Sequence, residues 1–274
     1  RSGITGILSS PYFLYRIEQA PSNVQPGEKY ALDDVTLASK LSFFLWNTIP
    51  DDELRELAVR GQLGDEQVLR SQVERMLKDP RAETLASNFV YHWLDLKRLE
   101  EVEPDTSIFP YASGRGDPRG DYLKEIELFA KSIFDEDRSV AEFMTAKHTF
   151  VNERIALLYG INSVKGDRFQ RVELEDSTRW GLLGKGAVLM AAAYPNRTSP
   201  VLRGAFILEY IVGAPPATPP PGVDAFPEAE IGTAKARTVR EIIAKHRENP
   251  TCFACHGVMD PLGFALVKFD AVGV

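Results

Sequence analysis

Three residues near the C-terminal end carry the clearest chemistry. In the stretch NPTCFACHGVMDPLGFALVKFD, residues 249–270, Cys252 and Cys255 stand three apart with His256 directly after them. They are the only two cysteines among 274 residues. The spacing C-x-x-C-H is the attachment signature of haem c. Each thiol can add to one porphyrin vinyl group, and the adjacent histidine falls where it can supply the proximal nitrogen to iron. Other chemistries use parts of the same set. A redox dithiol wants its C-x-x-C at the start of a helix in a βαβ setting, and no such setting is visible. Structural zinc wants four ligands, and there is no second cysteine pair. A disulfide here would close so small a loop that it adds little stability. The haem reading uses all three residues, and zinc, disulfide and redox chemistry stay open beside it.

The second axial position of a haem iron separates electron carriers from sites open to small ligands. The chain offers four histidines and four methionines. Met259 lies three residues after His256, on the same face if the segment is helical, and so on the proximal side. His246 precedes Cys252 by six residues, at the end of the expected helix TVREIIAKHR. The five intervening residues span roughly 18 Å, enough to pass a haem edge. A helix-capping role would fill the same position. Met190 sits in an apolar stretch and reads equally as core. His92 is expected as a buried aromatic neighbour and His148 as a loop residue. Arg197, Arg203 and Arg247 are the cations nearest these elements in sequence. Any of them could pair with a haem propionate or be an ordinary surface residue, and Arg203 is the one carried forward. Asp260, Pro261 and Gly263 read as a turn signal. Phe264 and Phe269 are expected to pack against porphyrin or core.

The elements that must hold this set are mostly helical. Leu32, Val35, Leu37, Leu41, Phe44 and Leu45 recur at three- and four-residue steps, as one helix face does. Asp33 and Asp34 suit the first turn of that helix, Asp51 is an N-cap candidate for the next, and Gly61 a stop. Val68, Val73, Met76 and Leu77 mark a third helix, and Leu85, Phe89, Trp93 and Leu96 a fourth. Residues 102–120 read as a loop. DYLKEIELFAKSIFDED follows as an amphipathic helix, then NERIALLYGI, capped by Asn152 and ended by Gly160. DRFQRVELED alternates like a strand and suggests a small hairpin. An apolar helix near 180–193 and the helix VLRGAFILEYIVG lead to a proline-rich connector at 213–227. The expected fold is mainly α: a multi-helix domain followed by a small helical haem c-bearing module, with a minor β-hairpin.

Composition sets outer bounds. The chain is 44% hydrophobic and 26% charged with a net charge of −7, which suits a folded domain and not the basic face of a nucleic-acid binder. No run of about 18 apolar residues marks a transmembrane helix. The chain opens without Met or an apolar leader and stops abruptly at FDAVGV. Since covalent haem attachment takes place outside the cytoplasm, a processed piece of an exported chain is expected. No G-x-S-x-G, phosphate-binding loop or H-E-x-x-H occurs.

Several segments together resemble one family. ILSSPYFLYRIE, LASKLSFFLWNTIPDDELRELAVRGQL, RMLKDPRAETLASNFVYHWLDL, FVNERIALLYGI, NRTSPVLRGAFILEYIVG and the haem segment are similar, in that order, to the planctomycete-type cytochromes. These are large exported bacterial proteins with tandem domains of unknown function (DUF1595, DUF1592 and DUF1588). The resemblance implies a tail of an upstream helical module at 1–20, a DUF1592-like helical domain at 30–170, and a DUF1588-like haem-binding module at 175–274. It carries the haem pattern onto Cys252, Cys255, His256, Met259, Asp260, Pro261, Gly263, Phe264, Phe269 and Asp270, and places His246 in the approach to the first cysteine. Lys268 departs from the pattern, which usually has Asn or Glu there. The expectation is a periplasmic or extracellular-facing c-type cytochrome domain with one haem. His256 and, as first choice, His246 would be its iron ligands. It would pass electrons to a partner protein, a neighbouring haem or other cytochrome subunits of an assembly. A haem oxidase or peroxidase with an open iron site, and a structural docking subunit, are the alternatives.

Overall fold

A computed structural model describes residues 2–15, 18, 20–25, 27–217 and 239–274. The connector expected at 213–227 therefore lies largely outside the described residues. The described chain is mainly α, with fourteen α-helices and two small antiparallel hairpins. The helices are α1 (Ser2–Leu8), α2 (Pro11–Leu14), α3 (Asp34–Trp46), α4 (Asp52–Val59), α5 (Glu66–Lys78), α6 (Glu83–Trp93), α7 (Lys97–Glu101), α8 (Arg119–Asp135), α9 (Glu142–Thr145), α10 (Glu153–Leu158), α11 (Gly186–Ala191), α12 (Pro200–Phe206), α13 (Val239–His246) and α14 (Pro250–Phe264). Strand β1 (His148–Val151) pairs with β2 (Gln170–Glu173), and β3 (Ala193–Tyr194) with β4 (Arg197–Thr198). The first pairing uses the alternating segment foreseen from sequence. The second forms around the polar turn before α12, where no pairing was expected.

Two compact units divide the chain, residues 1–85 and 86–274. In the first, Asp33 and Asp51 cap α3 and α4 by accepting hydrogen bonds from the Thr36 and Leu54 amides, which satisfies orphan donors at each helix start. Asp51 also accepts Arg75 Nη1 at 2.7 Å and Nη2 at 3.1 Å. This pairing, led by the Arg75 hydrogen bond, holds its carboxyl below the usual range. The core forms on Ala38, Leu45, Trp46, Leu54, Leu63 and Met76, with Trp46 Nε1 donating to Met76 O at 2.9 Å. The expected face of α3 is rotated: Val35 and Phe44 are 59% and 69% exposed, while Ala38, Ser42 and Trp46 point inward. The segment is apolar nearly all round, so its periodicity cannot choose a face. The Trp46 packing does.

The second unit is built around α8 and the wholly buried α11. Asn152 caps α10 as expected, accepting from Ile155 N at 3.0 Å. His148, expected in a loop, is a buried strand residue with Nε2 2.9 Å from Ser132 Oγ. His92, expected to be buried, is exposed on α6. The face a helix buries is set by what packs on it, and sequence spacing there allowed more than one answer.

The contact that positions the C-terminal helix is that of α12 with α14. A Cβ on Gly204 would collide with the backbone of Met259, and one on Gly263 with the carbonyl oxygen of Pro200. Gly120, by contrast, faces open space. Gly263→Ala should lower the unfolding free energy by about 1–3 kcal/mol through overpacking. Gly120→Ala should change it by no more than about 1 kcal/mol. Urea titration of the two variants checks both. In the first unit, the sign for Asp51 follows from its lowered folded value. Its stabilisation is complete above the unfolded carboxylate range and is lost as pH falls through the folded one. Asp51→Asn should therefore flatten the acid limb of a stability–pH profile.

Candidate functional site

The segment 250–264 is helical because Asn249 caps it, accepting from Thr251 N at 2.9 Å, and Pro250 occupies the first turn. There the missing amide costs nothing, and the fixed φ suits the helix. Pro250 thus opens α14. On this helix Cys252, Cys255, His256, Met259, Asp260 and Gly263 follow at alternating steps of three and one, which places them along one stripe. Cys252, Met259, Asp260 and Gly263 are buried, and Phe253 and Val258 on the other side are 57% and 60% exposed. Both cysteines are free thiols.

His256 is held by its own helix. Its Nδ1 lies 2.9 Å from Asp260 Oδ1, one turn further on. Asp260 is fully buried, and its Oδ2 has no hydrogen-bond partner. Arg247 Nε approaches that oxygen only to 3.9 Å. With Nδ1 engaged by the carboxylate, Nε2 is the nitrogen that can face a metal. His246 ends α13, and its ring packs edge-on against His256 with centroids 4.8 Å apart. Burial, and then the neighbouring His256, push the His246 imidazole below its usual value, with Asp260 opposing. That favours the neutral form, which is the one that ligates metals.

The donor set fits haem c: two free thiols and an imidazole share one stripe, with a buried carboxylate holding the ring by Nδ1. Cys252, Cys255 and His256 would hold the group, and His246 is the second imidazole brought to the same place. Met259 is on the face expected of it, with its backbone pressed against Gly204 of α12. Phe264 is half-buried, with the Arg240 guanidinium 4.6 Å from its ring. Among the described residues no group of three or more Cys, His, Asp or Glu is arranged to hold a metal ion.

Arg203 has a different setting from the one that a propionate partner on the surface would need. It is 0% exposed. Nη1 donates to Leu266 O at 2.5 Å and Phe269 O at 2.7 Å, and Nη2 to Asp270 O at 2.6 Å. Only Nε lacks an acceptor. Burial pushes the guanidinium down to about 10, so it stays charged at neutral pH. Arg203 thus gathers the carbonyls of the turn that follows α14. Met190 is wholly buried in the core, and Phe269 lies in a small cluster with Leu189, Ile207 and Leu266. Lys268 donates to Asp176 at 2.6 Å on the surface. The residue that sequence reasoning undervalued is Asp260, read as part of a turn. Its four-residue spacing from His256 was the signal, once that segment is taken as helix.

The fold and this helix define a class: a mainly α-helical chain of two compact units whose last long helix presents two thiols and a carboxylate-bound histidine. The chain matches two family models in tandem: PSD4, protein of unknown function (DUF1592), over residues 32–161, and PSCyt3, protein of unknown function (DUF1588), over residues 179–274. These matches, in this order, are those of the tandem planctomycete-type family, whose domains are associated with cytochrome-like proteins. No curated protein and no solved structure matches the chain. The spatial division at residue 85 falls inside the DUF1592 match.

Arg203→Met should strand three short-bonded carbonyls in a buried turn. At about 1–3 kcal/mol for each unsatisfied group, a loss of at least about 3 kcal/mol is expected in chemical denaturation. Arg247→Met, at a half-buried position, should cost far less.

Proposed function

We propose that the chain is an extracytoplasmic c-type cytochrome domain that carries one haem and passes single electrons to a partner protein or a neighbouring haem. Haem c supplies reversible one-electron transfer when bound. The residues of this chain attach and orient it. The Cys252 and Cys255 thiols would hold it covalently, one thioether to each vinyl group. Asp260 keeps the His256 ring turned so that Nε2 is the ligating nitrogen. His246, adjacent on α13, would supply a second imidazole to the group.

The observation that carries this reading is the Cys252–Cys255–His256 stripe with His256 Nδ1 tied to Asp260 Oδ1 at 2.9 Å. Attachment of haem c outside the cytoplasm supports a periplasmic or extracellular-facing location. Among the described residues no helix is long and apolar enough to cross a membrane. An open-site oxidase or peroxidase is the second reading. It gains weight only if His246 does not ligate.

The test is an optical spectrum of the protein matured with haem, oxidised and dithionite-reduced, with and without carbon monoxide. Sharp reduced bands unmoved by carbon monoxide are expected, since two imidazoles would fill the axial positions. In His246→Ala the reduced spectrum should shift on adding carbon monoxide. Cys252→Ala with Cys255→Ala should abolish covalent haem, read as loss of haem stain on a denaturing gel. A wild-type protein that takes up no haem would sink the reading.

A further inference from the structure

We propose that Asp260 is a positioning residue that also sets the redox balance of the site: by accepting the His256 Nδ1 proton in a hydrogen bond it makes that imidazole a stronger electron-pair donor and biases the bound iron toward its oxidised state. This rests on the haem reading above.

Holding the ring requires only an acceptor at Nδ1, and an amide or a backbone carbonyl would serve. A carboxylate adds a full negative charge next to the imidazole. Asp260 is 0% exposed, so water does little to spread that charge. Its other oxygen, Oδ2, is buried without a hydrogen-bond donor. Among the described residues its cationic partner is Arg247, whose Nε at 3.9 Å is within ion-pair range but beyond hydrogen-bond reach. A buried carboxylate with one hydrogen bond concentrates its attraction on that bond, here the Nδ1 proton at 2.9 Å. Drawing this proton toward oxygen gives the ring imidazolate character and raises ligand basicity. His246 packs its ring against that of His256. A carboxylate placed only to stabilise α14 would be better served by a close, hydrogen-bonded ion pair or by solvent, and Asp260 has only the long contact to Arg247. The sequence places it one helical turn from the ligand, where its lever is the ring.

The experiment compares wild type, Asp260→Asn and Arg247→Gln, each matured with haem. The one-electron midpoint is read by potentiometric titration, and the electron paramagnetic resonance of the oxidised form is recorded alongside it. Asp260→Asn keeps shape and acceptor but removes charge. Its midpoint should rise by the equivalent of a tenfold shift in the one-electron equilibrium or more, 59 mV, and its g-values should move toward those of a neutral imidazole ligand. Arg247→Gln leaves the carboxylate less compensated. Its midpoint should fall, with the g-values moving the opposite way. A charge acting only through space would shift the midpoint and leave the g-values in place, so unmoved g-values overturn the proposal, as does an unmoved midpoint. If Asp260→Asn cannot be recovered with haem, the Arg247→Gln pair of readings decides alone. Absence of haem from the wild type overturns the cytochrome reading and this inference together. Haem present with neither reading moved overturns this inference only.

Discussion

The closest constraint in the second unit is the seam between α12 and α14. Two glycines make it possible, since any side chain at Gly204 or Gly263 would strike the backbone of the opposite helix. Arg203, one residue before Gly204, then reaches past the seam to collect the carbonyls of Leu266, Phe269 and Asp270. Backbone proximity and a buried cation thus fix both the depth of α14 and the path of the chain beyond it. The C-x-x-C-H set rides on that helix. The turn behind it is anchored further by Tyr122 Oη donating to Val272 O at 2.8 Å and by Arg179 Nη2 donating to Gly273 O at 3.0 Å. Ala271 and Val272 are consequently core residues.

The same stripe of α14 serves packing and chemistry. Its later residues, Met259 and Gly263, lock into α12. Its earlier ones, Cys252, Cys255 and His256, are the C-x-x-C-H set. Asp260 stands between them, buried by the seam and bonded to the histidine. The residue that orients His256 is thus itself held by the packing against α12. Buried charge is costly unless compensated, and here the helix tolerates it beside an imidazole that can share its proton.

Elsewhere in the second unit another buried pair shows the same economy with a different use. Glu125 accepts from Thr149 Oγ1 at 2.6 Å and from Tyr159 Oη at 2.7 Å, and burial raises its carboxyl. Burial brings Lys185, also wholly enclosed, down to about 8. These groups tie α8, β1, α10 and the start of α11 into one hydrogen-bonded framework, which explains how so short and apolar a helix as α11 keeps its place. The first unit relies instead on capping carboxylates shared with arginines, as at Asp51, and on Trp46, over whose ring the Arg81 guanidinium lies 3.5 Å from the centroid.

Local chemistry was legible in the sequence by itself. The mainly helical class, the caps at Asp51 and Asn152, the strand character of 170–173 and the C-x-x-C-H set follow from short-range rules: side-chain capping, alternation and residue spacing act within a few positions. Tertiary structure decided which face each element buries. An apolar helix such as α3 has no sequence-defined inner side, so Val35 and Phe44 could not be told from Ala38 and Trp46 until Met76 was there to accept the indole. Arg203 could not be told from a surface cation until the carbonyls of residues 266–270, more than sixty positions away, were seen to converge on it. His246 and His256 stand ten positions apart in the chain, on separate helices, and only the packing of α13 against α14 brings their rings together. Asp260 lies between these cases. Its spacing from His256 was visible throughout, but the bond depends on Pro250 starting a helix that runs through Pro261, and its force depends on a burial that only the α12 seam provides.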